Sequence, residues 1–159
     1  MRDSTLLFLI KKTDGDVTDI CLAMKKRGFG VNRWNGVGGK CNQGESVEDA
    51  VKREAHEEIG IVVGTMSKVA ELEFRFAAKP EWDQLVHTYF CETWSGEPVE
   101  SEEMRPAWFK VSDIPFKDMW PDDPFWLPRV ITGEKIKASF TFGDGDAILE
   151  QKIETVDVI

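Results

Sequence analysis

The sequence predicts one mixed α/β (α+β) domain, and two observations carry that expectation. The chain has 159 residues with 42% hydrophobic content, which suits one compact domain with a core of its own. Six or seven runs show strand-like patterning and only two segments show helical patterning.

In chain order, "TLLFLIK" (5–11) is expected as a core strand. Its apolar part ends at Lys11 and Lys12, too short for a secretory leader. "DICLAM" (19–24) follows across the turn signal "TDGD". A helix is expected over about 46 to 59, opened by Ser46 with Asp49 three residues on and closed by Gly60 in the C′ position. Strands are then expected at "KVAELEFRF" (68–76), "LVHTYFCETW" (85–94) and "RPAWFKV" (105–111), with "SGEP" marking a turn. A second helix begins near Pro124 and runs to Ile131, followed by strands at "IKASFTF" (136–142) and "AILEQKI" (147–153) around "GDGD". There is no repeat, low-complexity segment or linker.

Composition excludes several classes. A net charge of −9 argues against binding polymeric nucleic acid, which needs a basic surface. No window is long and apolar enough to span a bilayer, so no membrane partner is expected. Three cysteines, Cys21, Cys41 and Cys91, without CxxC spacing indicate neither a disulfide framework nor a zinc site, which fits a reduced, intracellular compartment. A small phosphorylated ligand remains compatible with the acidic charge if a cation intervenes.

The segment "REAHEEIG" (53–60) crowds three glutamates together. On a helical wheel of roughly 100° per residue, Val47, Ala50, Val51 and Ala55 define the only apolar arc. Glu54 and Glu58 fall inside that arc, Glu57 on its margin, and Arg53 off their face, where it can brace at most one of them. Unpaired carboxylates taken from water cost several kcal/mol each. They are expected to be protonated, paired, or bound to a hard divalent cation such as Mg²⁺ or Mn²⁺. The alternative is that this helix edge is more exposed than the wheel implies. The preceding "WNGVGGKCNQGE" carries Gly36, Gly38, Gly39 and Gly44, a loop able to bring backbone amides and carbonyls close to a ligand.

From Gly39 to Ile61, "GKCNQGESVEDAVKREAHEEIGI" has the spacing of the Nudix box, with Gly39, Glu45, Arg53, Glu54, Glu57, Glu58, Gly60 and Ile61 in register and a small Ala55 at an apolar position. The chain therefore resembles the Nudix hydrolases over a single domain, 1–159. "MKKRGFG" (24–30), "RWNG" (33–36), "ESEEMRPAWF" (100–109) and "PFKDMWPDDPFW" (115–126) are similar to the branch acting on oxidised purine nucleoside triphosphates. The resemblance implies an α/β/α sandwich around a mixed sheet. It also implies Mg²⁺-dependent attack of water on a diphosphate linkage, releasing a nucleoside monophosphate and pyrophosphate. The implied substrates are 8-oxo-dGTP, 2-hydroxy-dATP and O6-methyl-dGTP, the implied state a monomer, and the location cytoplasmic, with the nucleus and mitochondrion also open.

By position, the resemblance implies that Glu54, Glu57 and Glu58 ligate the metal with the Gly38 carbonyl and Glu103. Glu58 is the first candidate for the base, with Glu54 second. Arg53 and Glu45 are expected to pair with each other and aim the carboxylates. Lys25 and Lys40 are expected at the phosphates. Asp122 and Asp123 are expected to read one side of the base and Asn35 the opposite side, with Trp120 stacked on the ring. Phe29, Phe74, Met104 and Trp126 form expected walls, and Thr5, Val37, Gly39 and Pro121 join the candidate lining. One of the two aspartates is also a candidate helix cap. Crowded in an aromatic pocket, the acid pair is expected to share a proton near neutral pH, and so to offer both a donor and an acceptor.

Two departures from the family pattern bear on which base fits: Trp82, Asp83 and Gln84 within "KPEWDQLVH", and Val37 beside the first box glycine. Two alternatives stay open, another Nudix specificity and a nucleotide-binding sensor without turnover.

Overall fold

The computed structural model describes all 159 residues. Its elements run β1 (Arg2–Thr13), β2 (Asp16–Lys25), β3 (Trp34–Asn35), α1 (Val47–Ile59), β4 (Val62–Phe76), β5 (Gln84–Ser95), β6 (Met104–Lys110), α2 (Asp123–Ile131), β7 (Lys135–Phe142) and β8 (Ile148–Val156). All eight strands join one mixed sheet in the order β3-β2-β1-β5-β4-β7-β8, with β6 paired to β2. β1 pairs β5 in parallel and β4 pairs β7 in parallel; the remaining ladders are antiparallel.

A helix covers each face. Val51, Ala55 and Ile59 of α1 pack on Leu7, Leu9, Tyr89 and Cys91. Trp126, Leu127 and Val130 of α2 pack on the other face with Phe8, Leu72, Ile136 and Phe140. That is why "LLFLI" is apolar without alternation: Leu6, Phe8 and Ile10 face α2 while Leu7 and Leu9 face α1, and both faces are dry. Burying each such side chain contributes about 1.5–3 kcal/mol. The three cysteines are free thiols, with Cys21 and Cys91 buried.

The site is positioned by a split in this sheet. β1 pairs β2 only over Ile10 to Thr13. Nearer its start, the edge of β1 is taken by the glycine loop, through Thr5 N–H to Gly39 O (2.8 Å), Leu7 N–H to Val37 O (2.7 Å) and Cys41 N–H to Asp3 O (3.0 Å). β2 meanwhile diverges to pair β3 and β6.

Most expected elements are present, with differences at their ends. Ser46 caps α1 by accepting from Asp49 N–H, and Gly60 closes it at φ 73°, the left-handed region that suits a residue without Cβ. β4 starts at Val62, six residues before the apolar run that announced it, because Val62 to Ser67 pair with β5 through irregular register and alternate poorly. The two-residue β3 and the 3₁₀ turn Pro80–Trp82 were not expected from patterning. α2 begins at Asp123, with Asp122 in the N-cap position, yet neither acid caps it by side chain. That expectation is corrected: the Asp122 carboxylate turns inward and accepts from the Trp126 indole N–H at 2.8 Å.

Candidate active site

The glycine loop passes between β1 and α1 at distances that exclude side chains. A Cβ on Gly38 would stand 1.9 Å from Thr5 O, and one on Gly39 would stand 2.6 Å from Glu54 Oε1. This close approach lets Gly38 N–H donate to Glu58 Oε1 at 2.9 Å. Glu58 is 3% exposed, and its other carboxylate oxygen has no protein partner. Burial first, then the neighbouring Glu54 charge, push its pKa up to about 8, against the Gly38 hydrogen bond and Lys25, which act to lower it.

Arg53 organises the other acids. Its guanidinium donates to both Glu45 oxygens (2.8 and 3.0 Å), to Glu54 (2.9 Å), to Glu57 (3.3 Å) and to the Lys40 carbonyl (3.1 Å). The wheel's limit of one braced carboxylate is therefore corrected: the planar fork reaches both i+1 and i+4 around its own helix. Arg53 and the Asn42 N–H hold the Glu45 carboxyl down at about 2.

Across from α1, Glu103 sits 3.7 Å from Lys25 and 3.6 Å from Arg27. Glu54, Glu57, Glu58, Glu102 and Glu103 line a recess of about 400 Å³ with no apolar residue in its wall. No three acids converge at ligand distance as they stand, because Arg53 holds Glu54 and Glu57 toward itself. The donor set nevertheless fits a hard divalent ion: oxygen ligands only, with one buried carboxylate oxygen unpaired.

Glu54 and Glu103 also line a second cavity of about 700 Å³, which opens over the α2 face of the sheet. Of the expected nucleotide contacts, the structure brings Thr5, Lys25, Phe29, Asn35, Gly38, Gly39, Lys40, Phe74, Met104, Trp120, Asp122, Asp123 and Trp126 to its wall. Pro121 is not among them. Val37 is corrected outright: it is 4% exposed on the opposite side, packed among Leu7, Val51 and Tyr89. The loop is extended there, so Gly36 and Gly38 face the cavity and the residue between them faces α1, where it cannot retune base fit.

Asp122 and Asp123 are 1% and 2% exposed, and each has one oxygen without a partner. Burial raises Asp122 to about 6, the Trp126 hydrogen bond restraining it. Burial and then the Asp122 charge raise Asp123 well above the ordinary carboxylate range. Asn35 lines the same cavity, and its Oδ1 accepts from Gly36 N–H at 2.8 Å, which leaves its NH₂ free of that bond.

Arg2, Ser4 and Arg33 line the cavity without having been expected there, and Trp82 and Gln84, expected only as departures bearing on base fit, join them. Arg33 stacks 4.1 Å over Trp120 and is anchored by Asp146 at 3.0 Å; it stood in the quoted "RWNG" but carried no assigned role. Trp82 joins Phe29 (5.4 Å) and Phe76 (5.9 Å) at the cavity mouth. Arg2, Ser4 and Gln84 line the floor. They are neighbours only through the parallel β1–β5 pairing, a contact between distant segments that local pattern cannot announce.

The model of the NUDIX domain matches residues 2–130. The chain belongs to the NUDIX family. It is 47% identical over 138 residues, 87% of this chain and 88% of the relative, to the oxidized purine nucleoside triphosphate hydrolase of Mus musculus. It is 42% identical, over the same shares, to the protein of that name from Danio rerio. The NUDIX fold is matched by the crystal structure of a MutT protein from Bacillus halodurans, with a TM-score of 0.82, 21% identity and coverage of 97% of this chain and 98% of that one. NUDIX hydrolases generally need a divalent metal, which agrees with the five glutamates lining the recess.

Proposed function

We propose that this chain hydrolyses oxidised purine nucleoside triphosphates to the monophosphate and pyrophosphate, and so cleans the nucleotide pool. The supporting observation is that a recess lined by five glutamates, with Arg27 and Ser101 at its side, and an aromatic cavity share Glu54 and Glu103, so a ligand whose base lies in one has its phosphates in the other. The relatives' names favour the same substrate class.

Glu54, Glu57, Glu58, Glu103 and the Gly38 carbonyl are the residues that would hold the metal, with Mg²⁺ the expected ion and Mn²⁺ an alternative. When bound, such an ion neutralises phosphate charge and lowers the pKa of water. The chain's own groups do the rest. Glu58, held by Gly38 N–H, takes the proton from the attacking water, with Glu54 as second candidate. Arg53 and Glu45 fix the aim of the acids from behind. Lys25 and Lys40 meet the phosphates. Trp120 stacks on the base, while the Asn35 amide and the half-protonated aspartate pair read it from opposite sides. The protein is taken to act as a monomer on free nucleotides, without polymeric nucleic acid, in the cytoplasm and also in the nucleus or mitochondrion.

The test is a steady-state comparison of dGTP, 8-oxo-dGTP, 2-hydroxy-dATP and O6-methyl-dGTP with pyrophosphate readout, in Mg²⁺ and in Mn²⁺. Preference for unmodified dGTP, or turnover only of dinucleoside polyphosphates or nucleotide sugars, would sink the proposal. Glu58→Gln is expected to lower kcat by about 10²–10⁴-fold while nucleotide binding persists. A wild type that binds but never turns over would instead mark a sensor.

A further inference from the structure

One wall of the larger cavity has no part in the chemistry assigned so far. Arg2 and Ser4 stand two residues apart on β1 and therefore project to the same face, the one α2 covers farther along. β5 sets Gln84 beside Arg2 and Val86 beside Ser4, and β4 sets Phe74 beside Gln84. Arg2, Ser4 and Gln84 all line the cavity. Ser4 is 4% exposed, and its hydroxyl has no partner; Arg2 Nε is also buried without one. Native proteins rarely leave such groups unpaired unless a ligand or water meets them.

The chemistry of this wall is the complement of the acid pair. A guanidinium only donates, a hydroxyl donates or accepts, and an amide does both. The two walls are also separated. Ser4 lies four residues along β1 from Phe8, about 13 Å. Phe8 packs on Trp126 at 6.2 Å, and Trp126 holds Asp122 at 2.8 Å. Arg2 and Ser4 thus stand toward the start of β1, away from the part at which Phe8 and Trp126 hold the acid pair.

Resting on the proposed substrate class, we propose that Arg2 and Ser4 form a second recognition edge, which hydrogen-bonds the oxidised five-membered ring of an 8-oxopurine. Oxidation at C8 replaces a C–H by a carbonyl and converts N7 from an acceptor to an N–H donor. Arg2 donates to the new carbonyl and Ser4 Oγ accepts from N7–H. Ordinary guanine places a C–H where Arg2 needs an acceptor. A 2-hydroxyadenine carries its extra oxygen on the six-membered ring, away from this wall.

The experiment measures kcat/KM for 8-oxo-dGTP and 2-hydroxy-dATP in wild type, Ser4→Ala, Arg2→Met and Ser4→Thr, with thermal melts to establish folding. The preference for 8-oxo-dGTP over 2-hydroxy-dATP is expected to fall roughly tenfold in Ser4→Ala and in Arg2→Met, mainly through KM, and to be kept in Ser4→Thr, which retains the hydroxyl. An unchanged preference ratio overturns the inference, whether both rates stay or fall together. If Ser4→Ala does not fold, Arg2→Met at the start of β1 decides alone. A wild type inactive on both nucleotides overturns the proposed function and this edge with it. A wild type active on 8-oxo-dGTP with unmoved ratios overturns this edge alone.

Discussion

Asp123 is 2% exposed beside an equally buried Asp122, and an ionised carboxylate there has little water to meet it. Its pKa is raised by burial and by its neighbour, so the folded chain keeps a proton that the unfolded chain releases near pH 4. Stability is therefore greatest on the acid side and falls as pH rises from the ordinary carboxylate range through the raised values, about 6 for Asp122 and well above the ordinary range for Asp123. Asp123→Asn removes that charge and leaves an amide able to donate to Asp122. It is expected to stabilise the protein at pH 8 by about 1–3 kcal/mol, a gain that shrinks toward pH 5. Thermal melts across pH check it, and a constant difference between the two proteins at all pH values would refute the titration. The same substitution, and Asp122→Asn, should alter the preference between 8-oxo-dGTP and 2-hydroxy-dATP, because an amide fixes the donor at one position, whereas a shared proton lets donor and acceptor exchange between the two.

At the scale of the element, the glycine loop and α1 act as one device, and two adjacent glycines serve it differently. A methyl on Gly38 would meet the Thr5 backbone carbonyl at 1.9 Å, where nothing flexible can yield. Gly38→Ala is expected to cost about 3 kcal/mol, or roughly 10 °C in Tm. A methyl on Gly39 meets the end of the Glu54 side chain at 2.6 Å, which can swing aside but then leaves Arg53. Gly39→Ala should melt within a few degrees of wild type yet need about 10–100-fold more Mg²⁺ for half-maximal activity. Equal losses of Tm in both variants would refute the distinction. This device was legible in the sequence because it is local: cap, helix, C′ glycine and acids lie within one short stretch, and helical period alone turned Glu58 inward. What stayed illegible depends on neighbours far away in the chain. Val37 was misplaced because its direction is set by pairing with Leu7, and Ser4 was missed because only β5 makes it a floor. The reach of Arg53 was underestimated because a wheel projects directions and ignores side-chain length.

For the whole molecule, the question is where the folding unit ends, since the family match stops at residue 130. The structure beyond that point is central: β7 lies between β4 and β8, and Ile136, Phe140 and Phe142 are at most 2% exposed. Phe142 also lines the larger cavity, and Asp146 anchors the Arg33 that stacks on Trp120. Removing everything after Gly133 strips three fully buried side chains, each contributing about 1.5–3 kcal/mol, from a domain whose net stability is of order 5–15 kcal/mol. It also bares the edge of β4 over its parallel ladder from Ala70 to Phe76. That truncation is expected to abolish the cooperative thermal transition. Stopping after Phe142 instead keeps those three side chains and removes β8, most of whose residues are exposed, together with Asp146. It should melt cooperatively at a lower Tm and bind nucleotide more weakly, because Arg33 loses its anchor behind Trp120. Cooperative melting of the shorter chain would show that β7 is an appendage and that the core closes without it.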